Sequence, residues 1–302
     1  MHAKVVVVGS LNMDLVARAP RLPRPGETLA GDTFFTVPGG KGANQAVAVA
    51  RLGGSVAMVG SVGDDAYGEQ LRAALVAEGV DCQGVGVCAG ASSGVALITV
   101  DAASQNCIVI VPGGNGLLTP QAVQRFDALL QAAEVIICQL EVPADTVAWA
   151  LARGRELGKR VILNPAPATG PLPPEWFAHI DYLTPNESEA EALTGLAVHD
   201  QASARTAAEQ LLQLGAGKVI VTLGAQGALF VSRDGSWHYP APAVKALDTT
   251  AAGDTFVGGF AAGLVRGLGE GEAIAFGQRA AALSVTRAGA QPSIPYLEEL
   301  DP

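Results

Sequence analysis

The chain has 302 residues, 49% hydrophobic and only 16% charged, so it can bury a large core, and disorder is excluded for its bulk. Nineteen Lys and Arg against 29 Asp and Glu give a net charge of −10, which argues against a nucleic-acid backbone or an anionic membrane as the main partner; an anionic ligand would need a local solution. Glycine (37) and proline (18) make up about 18% of the chain, which suits many tight loops on a compact α/β scaffold.

Lys4 to Gly9 reads as a buried strand: its run of four valines is too short for a signal sequence, and the Gly-Ser after it is not a cleavage pattern. Asn12 to Pro38 carries Pro20, Pro23, Pro25 and Pro38 without a helical period, which predicts a flap of short strands ending in the alternation Thr28, Ala30, Asp32. From Gly42 the spacing of Ala43, Ala46, Val47 and Ala50 predicts a helix to Leu52, followed by a strand over Ser55–Gly60 and a helix near Asp65–Glu78. Extended runs at Gly94–Val100 and Cys107–Val111 precede a helix over Thr119–Ala132, opened by an N-cap threonine and a proline. Strands at Val135–Leu140, Val161–Leu163, Tyr182–Thr184 and Lys218–Leu223 then alternate with helices at Ala144–Leu157, Glu187–Leu193 and Ser203–Leu214. Runs at Ala228–Ser232 and Trp237–Tyr239 and helices at Asp254–Arg266 and Gly271–Val285 complete the chain. Such alternation predicts a mostly parallel sheet covered on both faces. No apolar stretch approaches the roughly 18 residues of a spanning helix. Cys82, Cys88, Cys107 and Cys138 form no C-x-x-C pair and the histidines are scattered, so zinc is not expected and the thiols read as those of a cytoplasmic protein.

Three motifs carry the chemistry of a ligand site. In Gly39-Gly40-Lys41-Gly42-Ala43-Asn44-Gln45, glycines let backbone approach a ligand while Lys41 and Asn44 bring a cation and an amide to a helix start. It is not a Walker loop, since Lys41 is not followed by Ser or Thr; a mere tight turn is the alternative. Asp248-Thr249-Thr250-Ala251-Ala252-Gly253-Asp254 opens an apolar helix. There the N–H groups of Ala252, Gly253 and Asp254 would point together at an anion, with Asp254 placed to take a proton from a hydroxyl as its oxygen attacks phosphorus. The alternative is a helix cap and nothing more. Asn12 and Asp14, two apart in an extended segment, share a face and suit neighbouring sugar hydroxyls, and that turn lacks the G-x-G-x-x-G of a dinucleotide fold. Glu141 and Asn186-Glu187-Ser188-Glu189 also follow strands, either as capping groups or as carboxylates that organise magnesium and water around phosphates. Thr222 to Gly227 by itself is a hairpin loop.

Taken in order with Gln139-Leu140-Glu141, Asn164 to Ala168, Thr184 to Glu187 and Gly289 to Ser293, these segments resemble the ribokinase/PfkB family of carbohydrate kinases along the whole chain. The resemblance implies one α/β kinase domain over 1–302, a three-layer α/β/α fold with a mostly parallel sheet, and a small β-sheet lid from about 13–38 and 94–111. It implies phosphoryl transfer from ATP to O5 of D-ribose, or to another sugar or nucleoside such as deoxyribose, fructose or pseudouridine, with Mg²⁺ and a K⁺ activator. A sugar-sensing protein without catalysis and, more remotely, a nicotinamide dehydrogenase are the rival readings. The positions it implies for the sugar are Asn12, Asp14, Gly40, Lys41, Asn44 and Glu141, with Asp254 as the base and Ala252 and Gly253 as the anion hole. On the ATP side it implies Asn186, the run Thr222, Leu223, Gly224, Ala225, Gln226 and Gly227, then Gly253, and Gln278 where relatives often carry asparagine. Glu189 is implied near magnesium, while Asp248, Thr250, Ser284, Arg287, Gly289 and Ser293 are implied around the monovalent cation. A cytoplasmic homodimer joined through the lid, with no nucleic-acid or membrane partner, completes the picture. Arg21 and Arg24 in the flap are unexpected for a neutral sugar; they read as solvated charges or as contacts to a phosphate on the substrate.

Overall fold

Four consecutive valines, all buried, form β1 (Val5–Val8), the strand about which the chain is organised. The computed structural model describes residues 2–103 and 105–300. After β1 come β2 (Asn12–Arg18), β3 (Thr33–Gly39), α1 (Lys41–Arg51), β4 (Val56–Gly63), α2 (Ala66–Ala77), β5 (Asp81–Cys88), β6 (Gly94–Val100) and β7 (Asn106–Val111). The middle of the chain holds α3 (Pro120–Gln124), α4 (Asp127–Ala132), β8 (Val135–Cys138), α5 (Ala144–Glu156), β9 (Arg160–Leu163), β10 (Tyr182–Leu183), α6 (Glu187–Thr194), α7 (Gln201–Gln213) and β11 (Lys218–Thr222). A hairpin of β12 (Ala228–Ser232) and β13 (Gly235–Tyr239) precedes α8 (Ala252–Val265) and α9 (Glu270–Ser284).

The main sheet has nine strands in the order β13-β12-β11-β10-β9-β8-β1-β4-β5, parallel from β11 to β5 and antiparallel only in the β11–β12–β13 meander. Alternate strand residues point to opposite faces, so β1 feeds two cores. Val5 and Val7 join α1, α2, α8 and α9 on one face, and Val6 and Val8 join α5, α6 and α7 on the other, which gives the three-layer α/β/α architecture. Small residues let the first helical layer close up: a Cβ on Gly258 of α8 would stand 2.4 Å from Ala48 Cβ and 2.7 Å from the Gln45 carbonyl of α1. That contact fixes the relative position of the N-termini of α1 and α8.

A second sheet, β3-β2-β6-β7, stands off the first. Its strands match the expected short extended runs. The alternation read at Thr28, Ala30 and Asp32 instead lies in an irregular connection between β2 and β3, where Arg21 makes a bidentate pair with Glu27. Arg21 is therefore engaged within its own loop. Ser104, in the second of the expected lid segments, lies outside the described residues.

Two expectations fail for identifiable reasons. The helix expected over Thr119–Ala132 is two short helices, because the chain turns at Phe126, which packs on the core, and restarts at Asp127, held by Arg153 at 2.8 Å. Strand β5 was not expected, since Asp-Cys-Gln-Gly-Val-Gly-Val-Cys has neither a long apolar run nor clean alternation. As the sheet's edge it needs pairing on one side only, and Gly84 lets it approach β4, where a Cβ would lie 2.6 Å from the Met58 carbonyl.

Candidate active site

Each parallel strand that faces the crevice is apolar to its end and then turns polar. Ser10 follows β1, Gln139 and Glu141 follow β8, Asn164 follows β9 and Thr184 follows β10. Side chains there leave the core and enter the space beyond the strand carboxyl ends, where open α/β sheets bind ligands. The order reversal at β1, which lies between β4 and β8, opens that space.

Two helices point their N-termini into it. The chain enters α1 through Gly40 at φ 90°, a conformation glycine alone adopts cheaply, and with so close an approach that a Cβ would meet the Asn12 nitrogen at 2.7 Å. It enters α8 through Ala251, left-handed at φ 58°. This tight entry corrects one expectation: the Ala252 N–H turns back to the Thr249 carbonyl at 3.2 Å and is not free. The N–H groups of Gly253 and Asp254 make no hydrogen bond among the described residues, which leaves two of the three expected donors free to meet an anion.

Asp254, in the first turn of α8, is 6% exposed. Its Oδ2 accepts from Asn44 Nδ2 and its Oδ1 from Gln45 Nε2, both at 2.9 Å. Burial raises its pKa; Lys41 and the two amides oppose that rise, and Glu141 adds to it. Burial acts against the charge of Lys41, but Asp254, Glu141 and Glu189 outweigh it and keep the ammonium protonated. Glu141 Oε2 accepts from Ser10 Oγ at 2.5 Å and from the Lys41 N–H at 3.0 Å, which ties the end of β8 to the start of α1. Asp14 is packed against Gly39, and its carboxyl is pushed up to about 7, first by burial and then by Glu141 and Asp254. Asn12 Oδ1 accepts from Asn115 Nδ2 at 2.8 Å, leaving its own amide N–H groups for a ligand. Asn12, Asp14, Gly40, Lys41, Asn44, Glu141 and Asp254 thus lie around one end of the crevice.

A cavity of about 190 Å³ opens beside them, lined by Lys41, Asn164, Asn186, Glu189, Gly253 and Asp254. Asn186 and Glu189 form a capping box on α6: Asn186 Oδ1 accepts from the Glu189 N–H at 2.8 Å, and Glu189 Oε2 from the Asn186 N–H at 2.9 Å. The capping reading is therefore correct as far as it goes, and both side chains line the cavity as well. Burial raises the Glu189 pKa, with Asp254 adding to it and the Asn186 N–H and Lys41 working against it. A second cavity of about 720 Å³ shares Asn186, Thr222, Thr249, Ala252 and Gly253 with the first. Its remaining wall, with Gly224, Ala225, Gly227, Phe256 and Gln278 among it, is mainly apolar. Gln278 donates to the Tyr239 carbonyl at 2.7 Å, so its amide is held in place on that wall. Leu223 is buried in the core, and Gln226 turns its carbonyl to His238 Nε2 at 2.7 Å outside the cavity lining.

Asp248 joins two segments: Oδ1 accepts from the Thr250 N–H at 2.9 Å and its hydroxyl at 2.6 Å, and Oδ2 from the Gly289 N–H at 2.9 Å. These bonds hold its carboxyl below the usual range, although burial opposes them. The carbonyls of Thr250, Arg287, Gly289 and Ser293 accept no hydrogen bond among the described residues, whereas Ser284 O accepts from the Arg287 N–H and Ser293 Oγ donates to Ala290 O.

Gln45, Gln139 and Asn164, and the apolar stretch Ala241 to Val244 on the larger cavity, received no role from sequence. The signal for the first and the last two polar residues was available: an amide directly after an all-apolar strand, or one residue from a motif asparagine on a buried helix face. The apolar stretch had no such signal.

The sequence pattern of the pfkB family carbohydrate kinases matches residues 2–297. A ribokinase of Haemophilus influenzae is 44% identical over 300 residues, covering 99% of this chain and 97% of that protein. A deoxyribokinase of Salmonella typhi is 40% identical over 300 residues, 98% of this chain and 97% of that one. The structure of an Arabidopsis thaliana ribokinase complexed with ribose and ATP superimposes with a TM-score of 0.94 at 33% identity, covering 99% of this chain and 98% of that one.

Proposed function

The chain belongs to the pfkB family of carbohydrate kinases, and from that premise we propose that it is an ATP-dependent kinase of D-ribose that transfers phosphate to O5. The observation that carries this reading is Asp254, a buried carboxylate held by two amides at the mouth of α8, beside unpaired N–H groups and between a polar end and a long apolar cavity. The apolar cavity suits an adenine; the shared residues Asn186, Thr222 and Gly253 suit the phosphates between it and Asp254. On the sugar side Asp14 and Glu141 accept hydrogen bonds from hydroxyl groups, and Asn44 Oδ1, a buried acceptor with no partner, accepts another. Asp254 removes the proton of the attacking hydroxyl, and the Gly253 and Asp254 N–H groups with Lys41 hold the charge that develops on the transferred phosphoryl group.

Lys41 faces Asp254, Glu141 and Glu189, so carboxylates outnumber cations before a polyphosphate arrives. That excess suits a divalent cation held by Glu189 through water and by the phosphates, and Mg²⁺ there would neutralise β- and γ-phosphate charge. The free carbonyls beside Asp248 suit a monovalent cation, which would order the loop leading to α8. Four free thiols fit a reducing cytoplasm. The four-stranded sheet is read as a lid over the sugar that excludes water and its competing attack on ATP.

ADP release over a panel of ribose, deoxyribose, fructose and pseudouridine, with and without K⁺, tests the substrate. Ribose should give the highest kcat/KM and K⁺ should raise it; deoxyribose ahead of ribose, or no release with any sugar, overturns the reading. The lid also exposes apolar side chains on its two edge strands, among them Phe34 of β3 and Val109 of β7 at 56%, which the strand registers place on one face. We assign this face to a second copy of the chain. Sedimentation should show a dimer that Val109→Asp with Phe34→Asp converts to monomer; a monomeric parent protein refutes it.

A further inference from the structure

Behind Asp254 lies a chain of buried amides that the phosphoryl-transfer reading does not use. Gln45 Nε2 donates to Asp254 Oδ1 at 2.9 Å and to Asn164 Oδ1 at 3.1 Å; Gln139 Nε2 donates to Gln45 Oε1 at 2.6 Å; Asn164 Nδ2 donates to the Thr184 carbonyl at 3.0 Å. Gln45 and Gln139 have no exposed surface. An amide can present either end to a neighbour, so its orientation is a matter of who sits beside it. An ionised carboxylate only accepts. Gln45 must therefore turn its NH₂ to Asp254, which leaves its carbonyl oxygen facing Gln139, and Gln139 must then turn its own NH₂ inward. The cost of this order appears at the far end, where Gln139 Oε1 is buried with no partner. Turning Gln139 over would set its amide oxygen against Gln45 Oε1, acceptor against acceptor.

We propose that Gln45 is a positioning residue for Asp254, and that Gln139 acts through it by fixing the polarity of its amide, so that Asp254 is held as an anion with its free lone pairs directed at the substrate hydroxyl. The inference rests on Asp254 as the base of the proposed kinase. Three elements converge to build it, since Gln45 comes from α1, Gln139 from the end of β8 and Asn164 from the end of β9. Gln45 leaves the sugar contacts to Asn44 on the same turn, which separates base orientation from sugar binding. The charged groups that face Asp254 are Lys41 from α1, Glu141 after β8, Glu189 from α6 and Asp14 from β2, and none of them is altered by changing either glutamine.

Gln45→Met keeps the volume and removes both donors. It should lower kcat by about 10- to 100-fold, as loss of a hydrogen bond to a charged group does, with KM for ribose and ATP within about twofold, and should move the acid limb of kcat to higher pH. Gln139→Met should do the same more weakly. Gln139→Glu, nearly isosteric but unable to donate when ionised, should be worse than Gln139→Met, and its effect should vanish in the Gln45→Met background. A residue that only packs would lower the melting temperature and leave kcat and its pH profile unchanged in the folded fraction, and that result overturns the proposal. So does additivity of the two sites. Should Gln45→Met fail to fold, the Gln139 pair reads the same relay. Asp254→Asn is assayed alongside: if it retains full turnover the base assignment fails, whereas an inactive Asp254→Asn with a normal Gln45→Met condemns the relay alone.

Discussion

Asp254→Asn should leave an enzyme that binds ribose within a few-fold of the parent protein but turns over about 10²- to 10⁴-fold more slowly, the range for loss of a general base. The change is isosteric, so the small-residue contact of α8 with α1 is preserved. Two things are lost together. The side chain can no longer take the proton of the attacking hydroxyl, and its new NH₂ faces either Asn44 Nδ2 or Gln45 Nε2, donor against donor. Sugar affinity is spared because Asn12 and Asp14 lie on β2 and Glu141 follows β8, outside the helix that carries the change. Ribose-dependent ADP release gives the first number and equilibrium binding of ribose without nucleotide gives the second. Near-normal turnover would remove Asp254 from the chemistry. A parallel collapse of ribose affinity would instead make it mainly a sugar ligand.

The second large effect is on pH. In the free protein the Asp14 carboxyl is pushed up to about 7, by burial first and by Glu141 and Asp254 after it. To accept two sugar hydroxyls it must be ionised. Below about pH 7 the free protein holds Asp14 protonated, so ribose binding must expel a proton, and the association constant should fall toward about tenfold per pH unit. Above that pH the affinity should level off. Binding near neutrality should release a fraction of a proton, which calorimetry in buffers of different ionisation enthalpy detects. Asp14→Asn should flatten the profile at the low-affinity level, which separates Asp14 from Asp254, whose own raised pKa acts on turnover. Ribose affinity constant across about pH 5 to 8 would refute the assignment.

Much of this site was legible before any fold was known. Lys41, Asn44 and Asp254 stand out because each is a polar or charged residue among small residues at the start of an apolar helix, although a turn or a cap would also account for them; Asp14, between Met13 and Leu15, stands out only by its spacing from Asn12 and its place after the first strand. The strands and helices were legible for the same reason in reverse: runs such as Val5–Val8 and Val135–Cys138 have no polar alternative. Strand β5 escaped because an edge strand tolerates the Gly and Gln that a central one does not. The break at Phe126 escaped because it depends on Arg153, 27 residues further on, and on a core contact.

Composition, period and local motif thus determine most of the strands and helices and mark residues available for chemistry, since these depend mainly on neighbours within one or two turns of chain. The partners of each spare residue are another matter. Asp254 meets Gln45 across 209 positions, Asp248 meets Gly289 across 41 and Asn12 meets Asn115 across 103. The Ala252 N–H is taken up by a backbone turn to Thr249 that no residue type announces. Hydrogen-bond direction and carboxyl ionisation depend on distances between elements brought together by the packing of two helical layers on one sheet. Only the tertiary structure brings Asp14 beside Glu141 and Asp254, which together with burial raise its pKa, and sets two fully buried glutamines in line behind Asp254.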